Sequence, residues 1–257
     1  MIKIIANWKM YLTIRQSREL AAQVNAWWQK AKCTNVELVL CPSDVALRDV
    51  ADQMSGSNIK LGAQQVSLSQ SLGAFTGQTS AQQLREAGVS HVLLGHSEQR
   101  QFFHVTDAMV RQQFQVAAKH RLHPVVCVGE TQAERDHGRT DSVIVSQLHQ
   151  IFEGLSWPST GLSVAYEPRW AIGTGRPVDA KEAVRVHDLV KHTLREFFGN
   201  LRAQDASVLY GGSVDVENFK SFLSQETVSG LLIGSASTKP EVLRSIVEGL
   251  QADYCNR

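Results

Sequence analysis

At 257 residues, with 43% hydrophobic and 20% charged residues, the chain has enough apolar material for a substantial core and too little charge for disorder. Twenty-six Lys and Arg against 25 Asp and Glu leave a formal charge of +1, which excludes a broad electropositive face for nucleic acid or anionic membrane, so any anion must be bound locally. The four cysteines, Cys33, Cys41, Cys127 and Cys255, lie far apart with no CxxC pair, so reduced, mostly buried thiols are expected rather than a zinc site or a disulfide framework.

The first apolar run is Ile2 to Ala6. Its stretch before Asn7 is too short for a signal segment, and no later run reaches membrane-spanning length, so a cytoplasmic protein is expected. The run ends in Asn7-Trp8-Lys9, an amide and an ammonium; read alone, such a lysine is more often a solvated loop residue. An amphipathic stretch, Ser17 to Lys30, comes next, followed by the apolar runs Val36 to Cys41 and Ile59 to Ala63. After the helical stretch Gln82 to Ala87, the run Val89 to Leu94 leads into Gly95-His96-Ser97-Glu98. His96 reads either as a buried core histidine or as a pocket imidazole; beside a helix N-terminus its neutral form is favoured, and it can then donate to a carbonyl oxygen.

Asp107 to His120 has helical period, Pro124 to Val128 is the fifth apolar run, and Ser142 to Phe152 is again amphipathic. The sixth run, Leu162 to Tyr166, ends in Glu167 and continues as Pro168-Arg169-Trp170-Ala171-Ile172-Gly173-Thr174-Gly175. Proline stiffens one end of this segment and the two glycines permit unusual dihedrals, the pattern of a hinged flap. After Ala180 to Phe198 come Ser207 to Tyr210, followed by Gly211-Gly212-Ser213, and Leu231 to Ile233, followed by Gly234-Ser235-Ala236-Ser237. Small residues at these places let backbone N–H groups approach a phosphate.

Eight short apolar runs separated by helical stretches, without linker or low-complexity tract, fit parallel strands covered on both faces. They predict an α/β chain folded as one (β/α)8 barrel domain over 1–257, with an outer ring of helices. No GxGxxG follows the first strand, which speaks against an open nucleotide-binding sheet. In a barrel, the C-terminal strand ends build the active site. That is where Lys9, His96, Glu167 and the glycine-rich segments fall.

The motifs Asn7-Trp8-Lys9, Gly95-His96-Ser97-Glu98, Ala165 to Gly175 and Tyr210 to Ser213, in this order and spacing, closely resemble the triosephosphate isomerase family over essentially the whole chain. The resemblance implies interconversion of dihydroxyacetone phosphate and glyceraldehyde 3-phosphate through an enediolate, with no metal or organic cofactor. It implies Glu167 as the base, His96 polarising the carbonyls, and Lys9 with Asn7 stabilising the oxyanion. It also implies phosphate binding by N–H groups of Gly173, Ser213, Gly234 and Ser235. The closed flap would latch through the Tyr210 hydroxyl to the Val178 N–H and through Ser213 to Gly175. A noncatalytic sugar-phosphate-binding barrel and another phosphorylated-metabolite barrel enzyme are the alternatives; the joint presence of Lys9, His96 and Glu167 argues against mere binding.

The resemblance further implies a homodimer in which Gly73 to Gly77, including Phe75 and Thr76, inserts into the neighbouring subunit near Lys9. Tyr11 and Gln65 stand where that family usually has asparagines, and Gln78 and Gln99 replace a glutamate and an arginine that pair across its interface. Removing both charges leaves neither unpaired, and two amides can still bond. At the flap hinge Arg169 replaces an aliphatic residue, and its charge needs solvent or a carboxylate partner, for which Glu130 is the candidate; at the phosphate site Ser235 replaces a glycine.

Overall fold

The computed structural model describes residues 1–174 and 177–255. Its eight strands are β1 (Ile2–Asn7), β2 (Val36–Cys41), β3 (Lys60–Ala63), β4 (His91–Leu94), β5 (His123–Val128), β6 (Ser163–Tyr166), β7 (Ser207–Tyr210) and β8 (Gly230–Ile233). All pair in parallel with their sequence neighbours, and β8 closes on β1 through Ile5 opposite Leu232. The eight apolar runs correspond one for one to these strands.

Outside the barrel run α1 (Ile14–Ala31), α2 (Leu47–Gln53), α3 (Ala81–Glu86), α4 (Ser97–Phe102), α5 (Asp107–Lys119), α6 (Gln132–Asp136), α7 (Thr140–Phe152), α8 (Ala180–Asp205), α9 (Phe219–Leu223) and α10 (Pro240–Leu250). Their starts follow local chemistry. Thr13, Ser80 and Thr131 close capping boxes with Gln16, Gln83 and Glu134, each side chain satisfying a main-chain N–H of the other's residue. Pro240 opens α10, where the missing N–H has no cost. Helix α8 breaks internally at Gly199, whose φ of 75° no other residue adopts readily.

Two apolar layers explain why the strands read as unbroken hydrophobic runs. Ile4, Leu38, Leu40, Val92, Leu94 and Val126 belong to the layer between strands and helices, whereas Ile5, Val39, Leu93, Val125, Ala165, Leu209 and Leu232 form a separate cluster. Because side chains alternate across a strand, this second set fills the barrel's interior. Continuing the alternation upward brings Asn7 on β1 and Glu167 just beyond β6 to the C-terminal mouth. Continuing it downward brings Lys3, Glu37, His91, His123 and Ser163 together at the opposite end. There Lys3 Nζ lies 3.1 Å from Glu37 Oε1 and 3.3 Å from His123 Nε2, contacts that span the barrel.

Cys41 and Cys127 are buried free thiols. Cys33 is disulfide-bonded, which corrects the expectation of four reduced cysteines; such pairing depends on proximity in the folded chain, which spacing in sequence does not report. Among the described residues, no helix is long and apolar enough to cross a membrane.

Candidate active site

The chain leaves β1 through a tight turn in which Lys9 has a left-handed φ of 49°. Its N–H donates to Asn7 Oδ1 at 3.0 Å, and its ammonium donates to Glu98 Oε1 at 2.7 Å. Ammonium and carboxylate together aim Lys9 across the mouth of the barrel. Asn7 itself is buried at 3% exposure, which places its amide at the cavity wall rather than in solvent.

His96 caps α4. Its Nδ1 accepts the main-chain N–H of Glu98 at 3.2 Å, so that nitrogen carries no proton and the ring is neutral with its hydrogen on Nε2. The Glu98 carboxylate stands 3.7 Å from the same nitrogen, beyond hydrogen-bonding range. Nε2 points at Glu167 Oε1, 3.1 Å away. The other Glu167 oxygen accepts the Ser97 N–H at 2.8 Å. That amide belongs to the first turn of α4, where main-chain donors have no helical partner and favour an anion.

Glu167 is 2% exposed, and its close surroundings require glycine. A Cβ on Gly129 would fall 1.7 Å from the Glu167 carbonyl oxygen, and one on Gly211 would fall 2.9 Å from Glu167 Cγ. Beneath it lies Cys127, whose thiol is held well above its ordinary range, first by burial and then by the Glu167 charge. That cysteine is inert as a nucleophile at neutral pH. Arg100 braces this wall, donating to the Gly95 carbonyl at 2.7 Å and the Cys127 carbonyl at 3.2 Å, with its charge on Asp107 at 2.6 Å.

The segment after Glu167 reaches the cavity through Ile172 and Gly173. Pro168 accepts the Ala171 N–H at 2.8 Å, and the Thr174 hydroxyl donates back to the Ala171 carbonyl at 3.0 Å. Gly173 has a φ of 72° and open space where a Cβ would be, so glycine is required there for its backbone conformation. Trp170 donates its Nε1–H to Glu130 Oε1 at 2.9 Å while the Arg135 guanidinium lies 4.1 Å over its ring. The Val178 N–H donates to the Tyr210 hydroxyl at 3.1 Å. Burial pushes that phenol up to about 12, against the Val178 hydrogen bond. Gly175, expected to meet Ser213, lies outside the described residues.

The expected side-chain pair between Arg169 and Glu130 does not form. The Arg169 main-chain N–H donates to the Glu130 carbonyl at 3.0 Å, but Glu130 Oε1 is already occupied by Trp170 and by the Tyr166 hydroxyl at 3.2 Å, with Arg135 at 3.9 Å. Two neutral donors and a second arginine gather on that one oxygen, while Glu130 Oε2 and Arg169 Nε are both buried without a hydrogen-bond partner among the described residues. The Arg169 charge is felt instead at Glu134. Burial works to raise that carboxyl, yet the Thr131 hydrogen bonds outweigh it and, with Arg139 and Arg169, hold it below its ordinary value.

Lys9, Asn7, His96 and Glu167 line one cavity of about 80 Å³, together with Tyr11, Ile172, Gly173, Gly211, Gly212, Ser213, Gly234, Ser235 and Ala236. The sequence-predicted base, imidazole, ammonium and small-residue segments therefore meet in one place. Gly234 approaches the Lys9 side chain closely, with a Cβ there falling 3.3 Å from Lys9 Cε. A second cavity, about 590 Å³, adjoins the first and is lined by Lys9, Met10, Tyr11, Gln65, Gln99, Phe102 and Phe103 among others. Phe75, Thr76 and Gln78 are not part of either; they sit on an exposed loop away from the mouth. Sequence reasoning read Gly211 only as part of a phosphate-binding segment and gave Ser97, Gly129 and Cys127 no part in holding Glu167, because what matters there is an N–H, or the room for another residue's atoms.

A closed (β/α)8 barrel whose C-terminal mouth joins a buried carboxylate, a neutral imidazole and an ammonium is the framework of a barrel enzyme that moves protons on a small anionic substrate. Comparison with known proteins narrows the class. The sequence profile described as Triosephosphate isomerase matches residues 2–250. A triosephosphate isomerase of Trichodesmium erythraeum is 40% identical over 244 residues, covering 95% of this chain and 97% of the relative. Those of Solibacter usitatus and Caldanaerobacter subterraneus are 39% and 38% identical, covering 94% and 95% of this chain and 96% and 97% of the relatives. The chain belongs to the triosephosphate isomerase family.

Proposed function

We propose that this chain interconverts dihydroxyacetone phosphate and D-glyceraldehyde 3-phosphate, the isomerisation step shared by glycolysis and gluconeogenesis, with Glu167 as the proton carrier. The observation that carries this reading is the contact of Glu167 with His96 Nε2–H inside one cavity shared with Lys9 and Asn7. Glu167 removes a proton from one carbon and returns it to the next, leaving an enediolate between the two steps. His96, neutral with its hydrogen on Nε2, donates to each substrate oxygen in turn, and Lys9 and Asn7 balance the charge that develops there. In the present arrangement the Ser97 N–H and His96 hold the carboxylate; substrate takes over the His96 donor, and Glu167 turns toward the carbons.

The phosphate sits against the N–H groups of Gly173, Ser213, Gly234 and Ser235, where small residues keep the backbone accessible. Pro168, Arg169, Trp170, Ala171, Ile172, Gly173, Thr174 and Gly175 close over it, latched by Tyr210 on Val178 and by Ser213 on Gly175. Closure excludes water, so the enediolate does not shed phosphate. A coupled assay in both directions tests the assignment. Turnover of both triose phosphates supports it; binding of phosphoglycolate without turnover would make the chain a sugar-phosphate-binding barrel instead.

The working unit is a homodimer in the cytoplasm. Phe75 and Leu72 are 52% and 54% exposed on the protruding loop, and Met10, Phe102 and Phe103 are 92%, 63% and 66% exposed around the adjoining groove. One copy's loop, with Phe75 and Thr76, fits the other's groove beside Lys9, Tyr11 and Gln65, and Gln78 and Gln99 are set to pair amide to amide. Sedimentation at micromolar concentration is expected to give twice the chain mass; a fully active monomer would contradict this. A disulfide at Cys33 is uncommon among cytoplasmic proteins, so fractionation combined with thiol labelling checks the compartment.

A further inference from the structure

The left-handed turn at Lys9 requires something to hold it. A non-glycine residue at positive φ persists only where its surroundings over-determine it. Asn7 fixes the N–H side of this peptide. The carbonyl side is fixed by residues with no assigned role: Gln64, just beyond β3, donates its amide Nε2–H groups to the Lys9 carbonyl at 2.8 Å and to the Cys41 carbonyl at 3.0 Å, and the Ser43 hydroxyl donates to the same Lys9 carbonyl at 2.9 Å.

We propose that Gln64, assisted by Ser43, is a positioning residue for Lys9. Gln64 touches no reacting atom. It straps the turn after β1 to the end of β2 by using both hydrogens of one amide, which no carboxylate or hydroxyl of similar size can do. Cys41 O also accepts the Trp8 N–H at 3.0 Å, so the strap grips a point already fixed in the sheet. With the carbonyl held, the Lys9 side chain leaves the backbone toward Glu98 and the cavity. Without it, the turn relaxes toward an ordinary φ and swings the ammonium away from the substrate oxygen. Lys9 is the one permanently cationic side chain among the described residues lining the catalytic cavity, so no neighbour there compensates. The inference rests on Lys9 acting on bound ligand.

A double-mutant cycle tests it. Affinity for 2-phosphoglycolate is measured by calorimetry for the wild type, Gln64→Ala, Lys9→Ala and the double variant, with kcat/KM wherever turnover is detectable and melting temperature and sedimentation as controls. Gln64→Ala is expected to lose roughly 10- to 100-fold in kcat/KM, the scale of an ångström of misplacement, and to weaken phosphoglycolate. In the Lys9→Ala background the same change is expected to leave affinity unaltered, because there is no ammonium left to misplace. Gln64→Glu, which keeps the shape and removes the donors, is expected to be at least as damaging as Gln64→Ala, and Ser43→Ala to show the same dependence on Lys9. Equal losses of affinity with and without Lys9, or a Gln64→Glu variant resembling wild type, would overturn the proposal. Failure of the wild type to isomerise triose phosphates, with the coupling to Lys9 intact, would instead count against the assigned reaction and leave the strap standing.

Discussion

Glu167 shows how one side chain's chemistry depends on the absence of others. Its carboxylate is held by the Ser97 N–H and His96, and its freedom to turn depends on Gly211, whose Cβ would lie 2.9 Å from Glu167 Cγ. Real Cβ atoms are not found at that separation, so Gly211→Ala must displace the base. The expected result in a coupled assay is a fall of about 100-fold in kcat, with phosphoglycolate affinity reduced far less, since the base rather than the phosphate cradle moves. Equal losses in both would place the damage in the phosphate loop. At this scale the titratable groups Lys9, His96 and Glu167 were visible in the sequence from their positions after apolar runs. Gly129 was not, and Gly211 was read only for the phosphate, because a glycine's reason lies in the atoms facing it.

The flap and its latch are properties of a segment. Tyr210 is the last residue of β7, its ring stacked 4.0 Å from Phe222 and its hydroxyl accepting the buried Val178 N–H. Tyr210→Phe keeps the ring and strands that N–H, which costs about 1–3 kcal/mol in the latched state. Roughly 10- to 100-fold lower kcat/KM is expected, with the melting temperature little changed because the barrel's packing is intact; unaltered kinetics would remove the latch from the account. Glycine, proline and the length of the connection made the flap legible from sequence. The hinge contacts were not, since Glu130 had three neighbours competing for it and spacing does not rank competitors. The strands were legible, the eight runs matching the eight strands because burial on both faces writes each strand as an apolar block, whereas the helices were read less fully: α8 runs past Phe198 to Asp205, and α2, α4, α6, α9 and α10 were not marked. The polar residues at the strand starts broke that pattern and carried no signal, as they meet only when the barrel closes.

Closure also sets the molecule's response to acid. His123 is buried at the barrel's floor, donating Nδ1–H to the Thr160 carbonyl at 2.6 Å and facing Lys3 with Nε2. Burial, then the Lys3 charge, lowers it to about 3, and burial lowers His187 to about 4. In the unfolded chain both take up protons below about 6.5, whereas the folded protein does not, so stability is present above that pH and lost as pH falls from 6.5 toward 4. Glu37, lowered to about 2 chiefly by His91, whose Nε2 lies 3.3 Å from its carboxylate, adds a further loss below about 4.5. Urea unfolding between about pH 6 and 4.5 is expected to lose about 1.4 kcal/mol per pH unit for each of the two histidines, and His123→Asn to flatten the slope; a pH-independent stability there would contradict the neutral histidines. The central claim, that a carboxylate at the end of β6 carries the proton between carbons, is tested most directly by kcat for Glu167→Asp in the coupled triose phosphate assay. Shortening the side chain retracts the base by about 1 Å, and a loss of at least about 100-fold at nearly unchanged KM is predicted; turnover equal to wild type would show that Glu167 is not the base.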